Sequence, residues 1–202
     1  MKFSVVFGLI CYFCGLSAVF AQSLYHSPIA FEKEPKETFS FTRNWAYPWN
    51  VIKDNNGKFS KADDGEIIAA DTSHLYFTAN CKTNVQGGYS IRYCSANKKG
   101  ENVNLNFFDG LPAYGSEFNV ILSKNVFSFK PRIVYPELKT DDRMHYKVIR
   151  EKLVIYQKNY PISKMISGYI DAEFTETALD AQNRRYVNKY YFRGYFKTAV
   201  KT

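Results

Sequence analysis

The chain is 202 residues long, 46% hydrophobic and 17% aromatic, with 16 tyrosines, 17 phenylalanines and a formal net charge of +8. That content supports a sizeable core and excludes a disordered chain, which is polar and poor in aromatics. There is no Gly-X-Y period and no heptad, so collagen and coiled coil are excluded as well.

The first 21 residues read as an export signal. Met1-Lys2 is a short basic start, Phe3 to Leu16 is almost unbroken apolar, and Val19-Phe20-Ala21 ends in a small-x-small pattern. Cleavage after Ala21 delivers a secreted protein, periplasmic or extracellular. No second apolar run is long enough to cross a bilayer, so the mature chain is expected to carry no transmembrane segment. Cys11 and Cys14 leave with the signal, and the bulky residues before them do not suit a lipid anchor. Residues 22–37, with Pro28, Pro35 and the charges of Glu32-Lys33-Glu34 and Lys36-Glu37, read as an irregular lead-in. A single all-β domain is expected over 38–202.

The domain opens with a strand at Thr38 to Trp45. Next comes an aromatic knot, Trp45-Ala46-Tyr47-Pro48-Trp49, which holds both tryptophans of the chain. On one strand face Trp45, Tyr47 and Trp49 would form a stacking platform for a sugar ring; packing around the Pro48 bend is the plainer reading. Tyr47 to Lys53 and Lys58 to Lys61 flank Asp54-Asn55-Asn56-Gly57, a hairpin turn signature. The tetrapeptide also resembles the start of a calcium loop, but Lys58 and Phe59 stand where that loop needs an oxygen ligand and a glycine. A strand at Glu66 to Ala70 follows.

Cys81 and Cys94 flank Gly87-Gly88. A two-residue turn at the glycines places the two cysteines directly opposite each other, and in an oxidising compartment the expectation is a disulfide. Two thiols alone do not fill a zinc site, and no metal is expected. After a strand at Val103 to Phe108, the loop Asn106 to Gly115 presents aromatics among Gly and Pro and is a candidate contact loop. In Glu117 to Lys130, a turn at Lys124-Asn125 puts Phe118, Val120 and Leu122 on one face with Phe127 and Phe129, the pattern of a half-buried hairpin. Further strands are expected at Met144 to Arg150, Lys152 to Gln157, Ile166 to Thr175 and Lys189 to Val200, with a helical turn or two near Ala178 to Arg185.

The charge gathers at the C-terminal end. Residues 139–202 carry 13 basic and seven acidic groups. On the last strand Lys189, Tyr191, Arg193, Tyr195 and Lys197 share one face, backed by Tyr190, Phe192, Gly194 and Phe196 on the other. Basic-aromatic ladders suit polyanions. Export disfavours nucleic acid, which leaves an acidic glycan, an anionic surface or an acidic protein as partner. The competing readings are an edge strand guarded by charge, or cations paired with Asp171 and Glu173 on the neighbouring strand.

About a dozen strands joined to their sequence neighbours point to an antiparallel two-sheet β-sandwich built from sequential hairpins, with an up-and-down β-barrel as the alternative. No G-x-S-x-G, HExxH or phosphate-cradling motif is present, and histidine is limited to His26, His74 and His145. The function expected is non-catalytic binding of a glycan, an anionic surface or a protein, with no cofactor. The alternatives are a barrel carrying a small apolar ligand and a carboxylate-based hydrolase. An empty apolar interior would favour the first alternative and converging carboxylates the second.

Overall fold

A computed structural model describes residues 26–109, 116–135, 144–179, 182 and 184–202. The expected export segment and residues 110–115 of the Gly/Pro loop lie outside the described residues. In chain order the strands are β1 (Ser27–Pro28), β2 (Ala30–Phe31), β3 (Trp45–Ala46), β4 (Val51–Lys53), β5 (Phe59–Lys61), β6 (Leu75–Tyr76), β7 (Ala79–Thr83) and β8 (Tyr89–Ile91). They continue with β9 (Tyr93–Lys99), β10 (Asn102–Phe108), β11 (Glu117–Ser123), β12 (Val126–Arg132), β13 (Met144–Ile155), β14 (Met165–Leu179) and β15 (Arg185–Lys201). No helix among the described residues is long and apolar enough to cross a membrane.

Alternation of apolar and polar residues builds two meanders, β9–β10–β11–β12 and β13–β14–β15. The expected hairpin over 117–130 forms in the expected register, with Val120 opposite Phe129 and Leu122 opposite Phe127. Its apolar face is fully withdrawn from water. What joins the meanders is β15. It pairs with β14 along one side, and along the other with β7 (antiparallel, Phe192 to Phe196) and then β9 (parallel, Val200 opposite Ala96). One continuous sheet results in place of the two separate sheets of a sandwich.

That sheet curls almost to closure. Residues 27–31, inside the expected lead-in, bridge its two ends: β1 pairs with β12, and β2 pairs in parallel with β13. Ile29 N donates to Asn125 O at 2.8 Å and Glu32 N to Ile155 O at 3.3 Å. Pro28 is tolerated because a bridging edge strand leaves its missing donor unneeded. The architecture is therefore a nearly closed, barrel-like sheet with two small two-stranded sheets outside it, β3–β6 and β4–β5.

Phenylalanines fill the inside. Phe118 stacks on Phe192 with centroids 4.4 Å apart and on Phe129 at 6.0 Å, while Phe107 meets Phe192 and Phe196 edge-on at 5.1 and 5.3 Å. Offset-stacked and edge-to-face pairs are the geometries aromatic quadrupoles prefer. Two glycines allow the strands to close on this core. A Cβ at Gly194 would collide with the Asn80 carbonyl oxygen and Cys81 Cα of β7, and one at Gly168 with the Val154 carbonyl oxygen.

No strand forms at Glu66 to Ala70, where Asp71 N donates to Ile68 O at 3.0 Å in a turn, and three further local expectations are corrected. Ser40–Arg43 is a 3-10 turn and not part of a strand, with Thr42 Oγ1 donating back to Phe39 O at 2.8 Å. The helical turn expected near Ala178 to Arg185 is replaced at both of its ends by strand, because β14 runs to Leu179 and β15 starts at Arg185, which pair. The third concerns the cysteines. Gln86, Gly87 and Gly88 all take positive φ, so the loop is longer than two residues and the register moves: Cys81 faces Ile91. Both Thr78 N and Ala79 N donate to Arg92 O, the chain bends, and Cys94 passes onto β9 opposite Phe107. No disulfide joins them. Both are buried free thiols, and burial pushes each well above the ordinary thiol range, Cys94 further through its neighbour Cys81.

Buried, protonated thiols do not react. Iodoacetamide at pH 8 is expected to leave Cys81 and Cys94 unmodified in the folded protein and to alkylate both after unfolding without reductant. Intact mass checks this, and the absence of those two adducts in the unfolded sample would mean that the thiols are bridged.

Candidate functional site: an aromatic ribbon and a charged sheet face

The excursion between Asn44 and Thr78 leaves the barrel and carries the two small sheets. Trp45 pairs across β3–β6 with Tyr76, and Phe77 N donates to Asn44 O at 2.9 Å to hold the pair in register. His74 stacks flat on Trp45, with centroids 3.7 Å apart and an interplanar angle of 15°. Tyr47 meets Trp45 edge-on at 5.1 Å and Phe59 at 5.0 Å, and His74 meets Tyr76 at 6.1 Å. Five rings thus run in one ribbon, Tyr76, His74, Trp45, Tyr47, Phe59, with Lys53 Nζ 5.1 Å from the Phe59 centroid.

Trp45 remains 41% exposed and Tyr76 54%, so the ribbon faces solvent. Its scaffold is local. Asp54 Oδ1 accepts from Asn56 N and Lys58 N and sets the β4–β5 turn, with Gly57 at φ 82°. Asp71 accepts from Ile68 N at 2.8 Å and pairs with Lys61 at 2.9 Å, two contacts that hold its carboxyl below the usual range. Of the knot singled out in the sequence, Trp45 and Tyr47 belong to the ribbon. Trp49 stands apart in the turn before β4, 56% exposed. Phe59, His74 and Tyr76 were not expected there.

The second predicted group lies on the outer face of β13–β14–β15. Lys189, Tyr191, Arg193, Tyr195 and Lys197 do share that face, and the carboxylates of β14 stand among them. Arg150 grips Asp171 (3.0 Å) and Glu173 (3.0 Å), and Lys189 pairs with Glu173 at 3.0 Å. The bonds from Lys189 and Arg150 hold the Glu173 carboxyl below its ordinary range. Arg193 lies 3.6 Å from Asp171 and 3.8 Å from Glu173, with its guanidinium over the Tyr191 ring at 4.5 Å. At the far end Lys197 bonds Glu34 at 2.9 Å and lies over Phe39, and Tyr195 packs against Phe39 and Tyr169. Burial pushes Glu34 up, but bonds from Lys197 and Ser167 outweigh it and leave the carboxyl lowered. Pairing with Asp171 and Glu173 is thus what the ladder does with much of its charge.

One further cluster went unpredicted. Glu176, 1% exposed, points into the end of the barrel. It accepts from Tyr135 Oη at 2.9 Å, Tyr146 Oη at 3.2 Å and Asn188 Nδ2 at 3.4 Å, with no cation within salt-bridge distance among the described residues. Tyr146 Oη also accepts from Ile133 N at 3.1 Å. The carboxylate ties β13, β14, β15 and the segment after β12 together. Burial, then the bond to Tyr190 and the negative neighbour Glu176, push the Tyr135 phenol up. The signal that could have found Glu176 is parity, since it continues the inward phase of Ile170, Ala172 and Phe174.

Compared with protein-family models, curated proteins and solved structures, the chain matches none.

Proposed function

We propose that the protein is exported and binds an uncharged glycan, without catalysis, by stacking sugar rings on the ribbon Tyr76–His74–Trp45–Tyr47–Phe59. The observation that carries this reading is the exposure of Trp45 and Tyr76 within a contiguous run of five rings. Large contiguous apolar faces on a soluble protein mark interaction sites, and an indole offers a flat face to the apolar side of a pyranose. The turns that flank Phe59 in the chain, Asp54-Asn55-Asn56 and Asp63-Asp64, are exposed and carry acceptors and donors for hydroxyls.

Two features support surface binding over the alternatives. Phenylalanine side chains occupy the middle of the barrel, where an apolar cargo would sit. The carboxylates that converge, Asp171 and Glu173, are paired with Arg150 and Lys189, whereas a glycosidase needs one acid that keeps its proton near neutral pH.

Calorimetric titration with uncharged oligosaccharides tests the reading. Trp45→Ala and Tyr76→Ala should each weaken binding by about 2 kcal/mol, roughly thirtyfold, as central aromatic anchors do. Trp49→Ala should leave affinity nearly unchanged. Equal affinity in all four proteins, or no binding by the parent, would overturn the ribbon as the site.

A further inference from the structure

The cations on the outer sheet face outnumber the acids that the β14 strand supplies. The register sets Lys152, Asp171, Arg193 and Lys82 in one row across β13, β14, β15 and β7, and Lys147, Thr175 and Lys189 in another. Between them, Arg150 stands opposite Glu173. Arg150 reaches this face through a bulge: the pairing slips between Val148 and Arg150, and Ile149 is turned out, 51% exposed. A bulge reverses the phase of a strand, and without it Arg150 would point inward. Apart from the Lys197–Glu34 pair at its far end, the face therefore presents six cations, Lys82, Lys147, Arg150, Lys152, Lys189 and Arg193, against two carboxylates.

The pairing is incomplete in a specific way. Lys82, Lys147 and Lys152 are exposed and have no carboxylate within salt-bridge distance among the described residues. Arg193 lies near both acids but beyond hydrogen-bond distance, and its Nε is shielded from water without a hydrogen-bond partner. A shielded donor left without a hydrogen-bond acceptor is costly, so the two acids leave the Arg193 guanidinium incompletely satisfied. Half-buried rings stand among the charges: Tyr191 under Arg193, and the Tyr169–Tyr195 pair with centroids 4.8 Å apart. The surface thus offers separated positive charges with apolar rings between them.

We infer that this face is a second binding site, separate from the aromatic ribbon, for an acidic polysaccharide. The cations take its sulfate or carboxylate groups, and Tyr169, Tyr191 and Tyr195 pack against its sugar rings. Arg150, Asp171 and Glu173 act as a rigid keystone that spreads the remaining cations over three strands. Charge on both partners is solvent-facing, so the attraction is screened by salt.

The test is binding of the full chain to heparin, with neutral dextran as control. The parent should bind heparin and not dextran, with affinity falling as salt rises from about 50 to about 200 mM, as the shrinking screening length requires. Reversing Lys82, Lys147 and Lys152 together to Glu should weaken heparin binding by about tenfold or more. None of the three is in an ion pair among the described residues, so the far-ultraviolet dichroism should stay that of the parent. Asp171→Asn removes a competing negative charge and should strengthen binding, an opposite sign that loss of folding does not mimic. Trp45→Ala should leave heparin binding as it was. A parent that does not bind heparin at the lower salt, or a triple variant that binds as well as the parent, would overturn the inference. Tighter binding of phosphatidylserine vesicles or single-stranded DNA than of heparin would overturn it equally.

Discussion

Gly194→Ala is expected to cost at least about 3 kcal/mol, the upper part of the range for forcing atoms into a packed interior. The new methyl group would meet backbone, the Asn80 carbonyl oxygen and Cys81 Cα, and backbone cannot rotate aside as the end of a side chain can. Gly194 also sits at φ 150°, a conformation that side-chain-bearing residues rarely adopt. To admit the methyl, β7 would have to move off β15. That would stretch the bond from Thr83 Oγ1 to Tyr191 O (2.7 Å) and draw Cys81 away from the core. Gly100→Ala is the control. Gly100 has φ 62°, but no atom lies within 4 Å of the place its methyl would take, so only the left-handed penalty of about 1 to 2 kcal/mol applies. Urea midpoints read both. Equal losses would mean that the close approach of β7 and β15 is not what holds the barrel together.

Glu176→Ala should cost about 2 to 4 kcal/mol, because the half-buried Tyr135 and Tyr146 and the exposed Asn188 would each lose an acceptor and a buried space would open where the carboxylate was. Glu176→Gln keeps the shape and one good acceptor but turns an amide N–H toward hydroxyl donors, and should fall between parent and alanine. The sharper reading comes from a double-mutant cycle. Tyr135→Phe should destabilise the parent by about 1 kcal/mol, the usual net worth of a hydrogen bond. In the Glu176→Ala background it should cost less than in the parent, since the hydroxyl has already lost its carboxylate acceptor and keeps its bond to Tyr190. Additive losses would show that Tyr135 and Glu176 act independently, against the geometry of the cluster.

How much of this was legible in the sequence depended on the range over which the signal acts. The hairpin from Glu117 to Lys130 was readable because its two strands carry their own alternation and its turn residues are adjacent. The turn at Asp54 to Gly57 was readable for the same reason. The Cys81–Cys94 pairing failed because it took the shortest loop for granted: two glycines admit a two-residue turn, but they equally admit a longer one, and only the φ values of Gln86 to Gly88 decide. Sandwich against barrel was not decidable, since it depends on which strand lies along the second edge of β15. That is a question of packing between distant segments.

The candidate site shows the same limit. Trp45 and Tyr47 stood out because they are neighbours in sequence, whereas His74 and Tyr76 join them through the β3–β6 pair. The ladder on β15 was read correctly as a face, and its partners Asp171 and Glu173 were named. Its extension to Lys147, Arg150, Lys152 and Lys82 was hidden, because register and the bulge at Ile149 bring those residues alongside.

The strap formed by residues 27–31 bears on the order of folding. Its partners, β12 and β13, lie roughly half the chain or more away, so a stretch made before them is ordered late. Until it docks, the curled sheet carries two open edges, each able to recruit a strand from another molecule. Docking covers Val126 and Phe127 on one edge and Val154 and Ile155 on the other. The strap is in this sense the last stave of the barrel, and its arrival shortens the open edge that a nascent molecule offers its neighbours.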